Sequence, residues 1–243
     1  MYSERFSKAL SASGNNIESG IGTYKERSQH KILKYFFELD PAYHEIPVRS
    51  YIADICKEDQ IYEIQTSGFE NLASKLEDFL IDHKVTVVFP APIAKTVVWT
   101  DTETGETYHG RRIKRTKDKY KLLSELIYII KFIGNEKFNI VVVETEVNDI
   151  RLLDGRGSDK KIKSTKIDKI PMGILSIFNI SSIDDIKKFT CLETDILYSR
   201  ADLQTKFQLV RRNLSCAIKA LIELGILKEH SRVDKKVFYT TCF

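Results

Sequence analysis

The chain has 243 residues, 42% of them hydrophobic, with 38 Lys and Arg against 34 Asp and Glu for a formal charge of +4. That length suits one large domain, or a core plus a small module, and is enough to bury a real core. The first twenty residues lack the apolar run of a signal peptide, no segment has the length of a membrane span, and the four cysteines form no C-x-x-C pair. A reduced, cytoplasmic protein with no membrane partner, no disulfide framework and no zinc knuckle is therefore expected.

In chain order, residues 1–20 are rich in Ser, Asn and Gly and read as a flexible tail. A helix is expected from Thr23 to Leu39, with Ile32, Leu33, Phe36 and Phe37 on its apolar side, ended by Asp40-Pro41. Glu45 to Arg49 reads as a short strand. The most informative segment follows, from Tyr51 to Gln65. Ala53 and Ile55 flank Asp54, and Tyr62 and Ile64 flank Glu63. The polar Lys57-Glu58-Asp59-Gln60 between them predicts a β-hairpin. A carboxylate among apolar strand residues is costly to bury unless it is paired or binds a metal. Two of them on adjacent strands form a candidate site for a hard divalent cation such as Mg²⁺.

Ser67-Gly68 breaks the chain, and Phe69, Leu72, Ala73, Leu76, Phe79 and Leu80 then recur at helical spacing. Val85 to Phe89 reads as a buried strand stopped by Pro90-Ala91-Pro92, with Thr96 to Thr100 as a further strand. A basic insert spans 102–121 and contains Arg111, Arg112 and Arg115. After it come a helix through Leu122, Leu126 and Ile130 and a strand from Phe138 to Val143. A second basic segment, 151–169, is read as a loop; it contains Arg151, Arg156, Lys160 and Lys161 around Gly155 and Gly157. Both basic segments suit contacts to phosphate.

The last sixty residues read as a separate module, 182–243, in the order helix, short helix, longer helix from Val210 to Leu224, then a hairpin around Asp234. Arg211, Arg212 and Asn213 open the longer helix, and Lys235 and Lys236 lie in the hairpin turn. Over residues 184–240 this order resembles a winged helix-turn-helix, whose corresponding helix meets base edges and phosphates.

Over residues 21–101 the chain resembles the PD-(D/E)XK, or restriction-endonuclease-like, nuclease superfamily. Asp54 matches the family's Asp, Glu63 the acid of its E-x-K, and Glu26 its upstream acid on the preceding helix. Gln65 stands where the family usually has Lys, and E-x-Q variants occur within it. The resemblance implies an α/β fold with a mixed sheet flanked by helices, spanning 21–178. It implies Mg²⁺ or Mn²⁺ held by Asp54, Glu63 and the Ile64 carbonyl, with Glu26 and Gln65 completing the catalytic set. His30, one turn after Glu26, is a candidate phosphate contact. The function implied is a metal-dependent DNA endonuclease acting on duplex DNA, possible as a homodimer. Two other readings stand beside it: a non-enzymatic DNA-binding regulator with a degenerate nuclease fold, and a protein-interaction module.

Overall fold

The computed structural model describes residues 2–14, 28–155 and 163–243. The fold is α/β, with a large mixed sheet flanked by helices. Its strands are β1 (His44–Val48), β2 (Tyr51–Lys57), β3 (Gln60–Ile64), β4 (Lys84–Asp101), β7 (Phe138–Leu153) and β8 (Thr165–Ile180), in the order β1-β2-β3-β4-β7-β8. Two short strands, β5 (Thr107–His109) and β6 (Ile113–Lys114), pair with β4. The chain divides into two compact units, and β4, β7 and β8 each contribute to both.

The first unit comprises Met1–His44, Ala91–Thr116 and Val143–Ile177. Within the expected flexible tail, residues 2–12 are instead helix α1 (Tyr2–Ala12), while 15–20 lie outside the described residues. Phe6 and Ala9 are buried with Ile32 and Phe36 of helix α2 (Ser28–Phe37), and Ile170, Ile174 and Ile177 pack against this cluster. Arg5 donates to the carbonyls of Phe36 (2.6 Å) and Phe37 (2.9 Å). These are carbonyls that the end of a helix leaves without intrahelical partners. Apolar burial and this cap together order a segment whose polar composition argued for a tail.

Two further corrections concern strands. Pro90 and Pro92 do not stop β4, which runs on to Asp101. The ladder with β3 ends at Val88 and the ladder with β6 begins at Ala94, so on that side no ladder N–H is needed at either proline. Of the expected loop over 151–169, residues 151–153 are the end of β7 and 165–169 the start of β8, while 156–162 lie outside the described residues. Pro171 and Gly173 disguise β8 in the sequence, but β8 is last in the strand order, and an edge strand tolerates proline.

The second unit comprises Glu45–Pro90, Lys117–Val142 and Phe178–Phe243. It opens with the antiparallel β2–β3 hairpin. Helix α3 (Phe69–Phe79) then crosses over to β4, which pairs parallel to β3 from Gln60↔Lys84 to Ile64↔Val88. A parallel pairing requires such a crossover, and the crossover helix must cover one face of the strands it joins. Phe69, Leu72, Leu76 and Phe79 form its buried stripe.

The same unit contains helix α4 (Lys121–Glu125), helix α5 (Ile183–Thr190), strand β9 (Tyr198–Ser199), helix α6 (Arg200–Phe207), helix α7 (Arg211–Glu223) and the hairpin β10 (Leu227–Val233) to β11 (Lys236–Thr241). Residues Phe178–Phe243 thus share one compact unit with Glu45–Pro90 and Lys117–Val142. Tyr120 packs edge-on against Phe189 and Phe207, with ring centroids 5.6 and 5.0 Å away, and α4 packs against α7. The sequence shows the apolar spacing of the segment through Leu122 and of α7, but not that these faces close on one another.

Candidate active site

The β2–β3 register pairs Ile55 with Tyr62 and Cys56 with Ile61, and its continuation sets Asp54 opposite Glu63. Directly opposed residues of an antiparallel pair present their side chains on the same face. The two acids are locked reciprocally. The Asp54 N–H donates to Glu63 Oε1 at 3.0 Å, and the Ile64 N–H donates to Asp54 Oδ2 at 2.7 Å. In a regular strand a residue's N–H and C=O lie on the same edge. The Ile64 carbonyl therefore faces the side on which its N–H meets Asp54.

Helix α3 supplies a third group absent from the expected set. Lys75 Nζ donates to Glu63 Oε2 at 2.7 Å and lies 5.4 Å from the centroid of the Phe79 ring. The Glu63 side chain is 3% exposed and that of Lys75 20%. The signal for Lys75 is present in the sequence: with Leu72, Leu76 and Phe79 it falls at positions i, i+3, i+4 and i+7 of one helical stripe. A lysine inside an apolar stripe needs an inward-facing partner, and here that partner is Glu63.

Gln65 does not join the acids through its side chain. Its amide donates to the carbonyl of Ser67 at 2.5 Å, within the turn that leads to Gly68. Gly68 has φ +78°, a left-handed conformation that glycine adopts without strain, and it opens α3 without a side-chain cap. The cap comes from elsewhere: one Glu125 oxygen accepts the N–H groups of both Gly68 and Phe69 at 3.0 Å. This fixes the helix that presents Lys75.

Burial and the adjacent Asp54 charge push the Glu63 carboxyl up to about 7, against the opposing pull of Lys75. Two acids crowded in this way favour added positive charge. Mg²⁺ is commonly held by one or two carboxylates with several waters. Asp54, Glu63 and the Ile64 carbonyl have the donor chemistry for such an ion. Among the described residues no group of three or more His, Cys, Asp and Glu side chains converges. Glu26 lies outside the described residues. His30 is half-buried on α2, in the first unit.

Of the expected phosphate contacts, Arg111 is exposed, but Arg112 makes a two-pronged ion pair with Glu146 at 2.5 and 2.9 Å. The Arg115 N–H donates to the Ile93 carbonyl at 2.6 Å, beside the β4–β6 ladder. Within the basic insert, β5 and β6 both pair with β4, and Arg112 is neutralised by Glu146. Arg151 lies on β7, while Arg156, Lys160 and Lys161 fall outside the described residues.

In the C-terminal segment, Ser182 with Asp185 and Ser199 with Asp202 form capping boxes that start α5 and α6. Arg200 donates to the Arg211 carbonyl at 3.0 Å and to Ser215 Oγ at 2.7 Å, tying α6 to the first turn of α7. The Arg211 and Arg212 side chains are exposed and Asn213 is half-buried. Asp234 and Lys235 both have positive φ, as a tight two-residue hairpin demands, and Lys235 and Lys236 are exposed at its tip.

Residues 27–181 match a family described as "Domain of unknown function (DUF8091)". An uncharacterized protein of Treponema pallidum (strain Nichols) is 26% identical over 150 residues, which are 61% of this chain and 59% of that protein. The chain thus spans less than two thirds of that relative's length. No solved structure matches the chain. No helix of the described residues is long and apolar enough to cross a membrane.

Proposed function

We propose that this chain, which belongs to the DUF8091 family, is a Mg²⁺- or Mn²⁺-dependent DNA endonuclease of the restriction-endonuclease-like type. The observation that carries the reading is the interlock of Asp54, Glu63 and Lys75. Asp54, Glu63 and the Ile64 carbonyl would hold the ion, which when bound supplies an activated water and neutralises charge on the scissile phosphate. Lys75 takes the place that the motif gives to the lysine of E-x-K, reached from the crossover helix instead of the strand. Its ammonium offsets charge that develops on the phosphate oxygens. Gln65 holds the turn before α3, and Asp54 orients β3 through the Ile64 N–H.

Residues 182–243 support duplex DNA as the substrate. The order α5, β9, α6, α7, β10, β11 suits a winged helix-turn-helix, with Arg211 and Arg212 opening the recognition helix and Lys235 and Lys236 at the wing. A second reading, a DNA-binding protein without turnover, is favoured by one observation: the Gln65 amide is spent on Ser67.

The test is cleavage of supercoiled plasmid and of linear duplex with Mg²⁺ or Mn²⁺. Wild type should cut, and Asp54→Asn, Glu63→Gln and Lys75→Met should each lose roughly a hundredfold or more. Gln65→Ala should lose far less. Tight DNA binding with no cutting under either metal would establish the non-enzymatic reading in its place.

A further inference from the structure

The first unit contains a second charged cluster, independent of the site above. Asp149 on β7 is 2% exposed, and three cations from three strands surround it. Lys95 of β4 donates to its Oδ2 at 2.8 Å, and Arg151 of β7 reaches the same oxygen through Nη2 at 3.3 Å. Lys166 of β8 stands 3.9 Å from Oδ1. Burial alone would raise the Asp149 carboxyl, but the hydrogen bond from Lys95 and the charges of Lys95, Lys166 and Arg151 hold it below its ordinary value. It is thus a carboxylate, and three positive charges meet one negative.

The donors outnumber the acceptors. An ammonium has three N–H donors and a guanidinium five. Lys95 and Arg151 each spend one on Asp149, and no second carboxylate among the described residues pairs with either of them or with Lys166. Arg151 Nε is buried with no hydrogen-bond partner, and so is Asp149 Oδ1. Buried donors are rarely left so, and the Arg151 Nε–H calls for an acceptor, whereas Asp149 Oδ1, itself an acceptor, faces the Lys166 ammonium at 3.9 Å. A guanidinium holding an unsatisfied buried N–H is not at its own optimum, and a small rotation toward an anion supplies the acceptor.

We propose that Lys95, Arg151 and Lys166 form a binding site for a tetrahedral oxyanion, a phosphoryl group, with Asp149 as the buried group that orients Lys95 and Arg151. Three cations on three adjacent strands match the several oxygens of a phosphoryl group better than the two oxygens of a planar carboxylate. The phosphoryl group has two possible sources: free phosphate or a phosphomonoester, and the phosphodiester backbone of a nucleic acid.

The experiment uses the full chain. Inorganic phosphate is titrated by calorimetry, and a fluorescent duplex by anisotropy at fixed ionic strength, for wild type, Arg151→Gln, Lys166→Gln and Lys166→Arg. Lys166 is 47% exposed, so its variants should fold normally; circular dichroism checks this. Saturable phosphate binding that falls roughly tenfold in each Gln variant and survives in Lys166→Arg supports the site and identifies the free anion. No phosphate binding, with duplex affinity falling by the same factor in both Gln variants, supports it and identifies the backbone. Unchanged affinity for both ligands in both Gln variants overturns the proposal and leaves a structural ion-pair cluster. Phosphate binding retained by Asp54→Asn would show the site to stand whether or not the nuclease reading does.

Discussion

Lys75 and Glu63 meet at 2.7 Å across the packing of α3 on β3, while Gln65, two residues beyond Glu63 on the chain, turns its amide to Ser67. The cation that meets Glu63 is delivered by the crossover helix. Its stability consequences are measurable apart from any activity.

Glu63 keeps its proton in the folded protein up to about pH 7, whereas an unfolded chain releases it near 4.5. The folded state therefore binds more protons between those values, and stability falls as pH rises through the window and levels off above it. The shift corresponds to about 3 kcal/mol at most. Urea melts between pH 4.5 and 8 should show this slope, and Glu63→Gln should flatten it. A parallel slope in Glu63→Gln would assign it to other groups.

Removing Lys75 leaves Glu63 buried beside Asp54 without its cation. Lys75→Met should cost about 3 kcal/mol at pH 8. At pH 5, where Glu63 holds its own proton, the cost should be much smaller. The double variant Glu63→Gln/Lys75→Met should recover most of the loss at pH 8. Additive losses in this double-mutant cycle would mean that the two side chains do not act as a pair.

Glu125 caps α3 from outside the helix, by way of the Gly68 and Phe69 N–H groups. Glu125→Ala should destabilise by about 1 kcal/mol, and Glu125→Gln, which keeps an acceptor oxygen, by less. Hydrogen exchange should speed up first in the opening turn of α3. Equal exchange there in wild type and Glu125→Ala would remove the capping role.

For the C-terminal segment, Arg211→Ala/Arg212→Ala should weaken duplex binding and change sequence preference. Lys235→Ala/Lys236→Ala should weaken it equally across sequences. Each phosphate that a variant no longer neutralises should reduce the slope of log affinity against log salt by about 1. Anisotropy titrations at several salt concentrations decide this. Unchanged slopes in both variants would point to a protein partner for this surface.

Much of the local structure was legible in the sequence. Alternation announced the β2–β3 hairpin and its two acids, helical spacing announced α3 and α7, and Gly68 marked the break before α3. Each of these is encoded within a few residues by a period of two or of 3.6. Only the tertiary structure decided the partners. Lys75 reads as one lysine in an apolar stripe until the parallel β3–β4 pairing folds α3 back over Glu63. Phe6 and Ala9 read as part of a tail until α2 offers them a face. Tyr120, Phe189 and Phe207 come from three separate segments that meet in one core. Lys95, Arg151 and Lys166 are scattered basic residues until β4, β7 and β8 lie side by side. Periodicity states which face of an element is apolar; which other face covers it depends on long-range closure of the chain, and no local pattern encodes that.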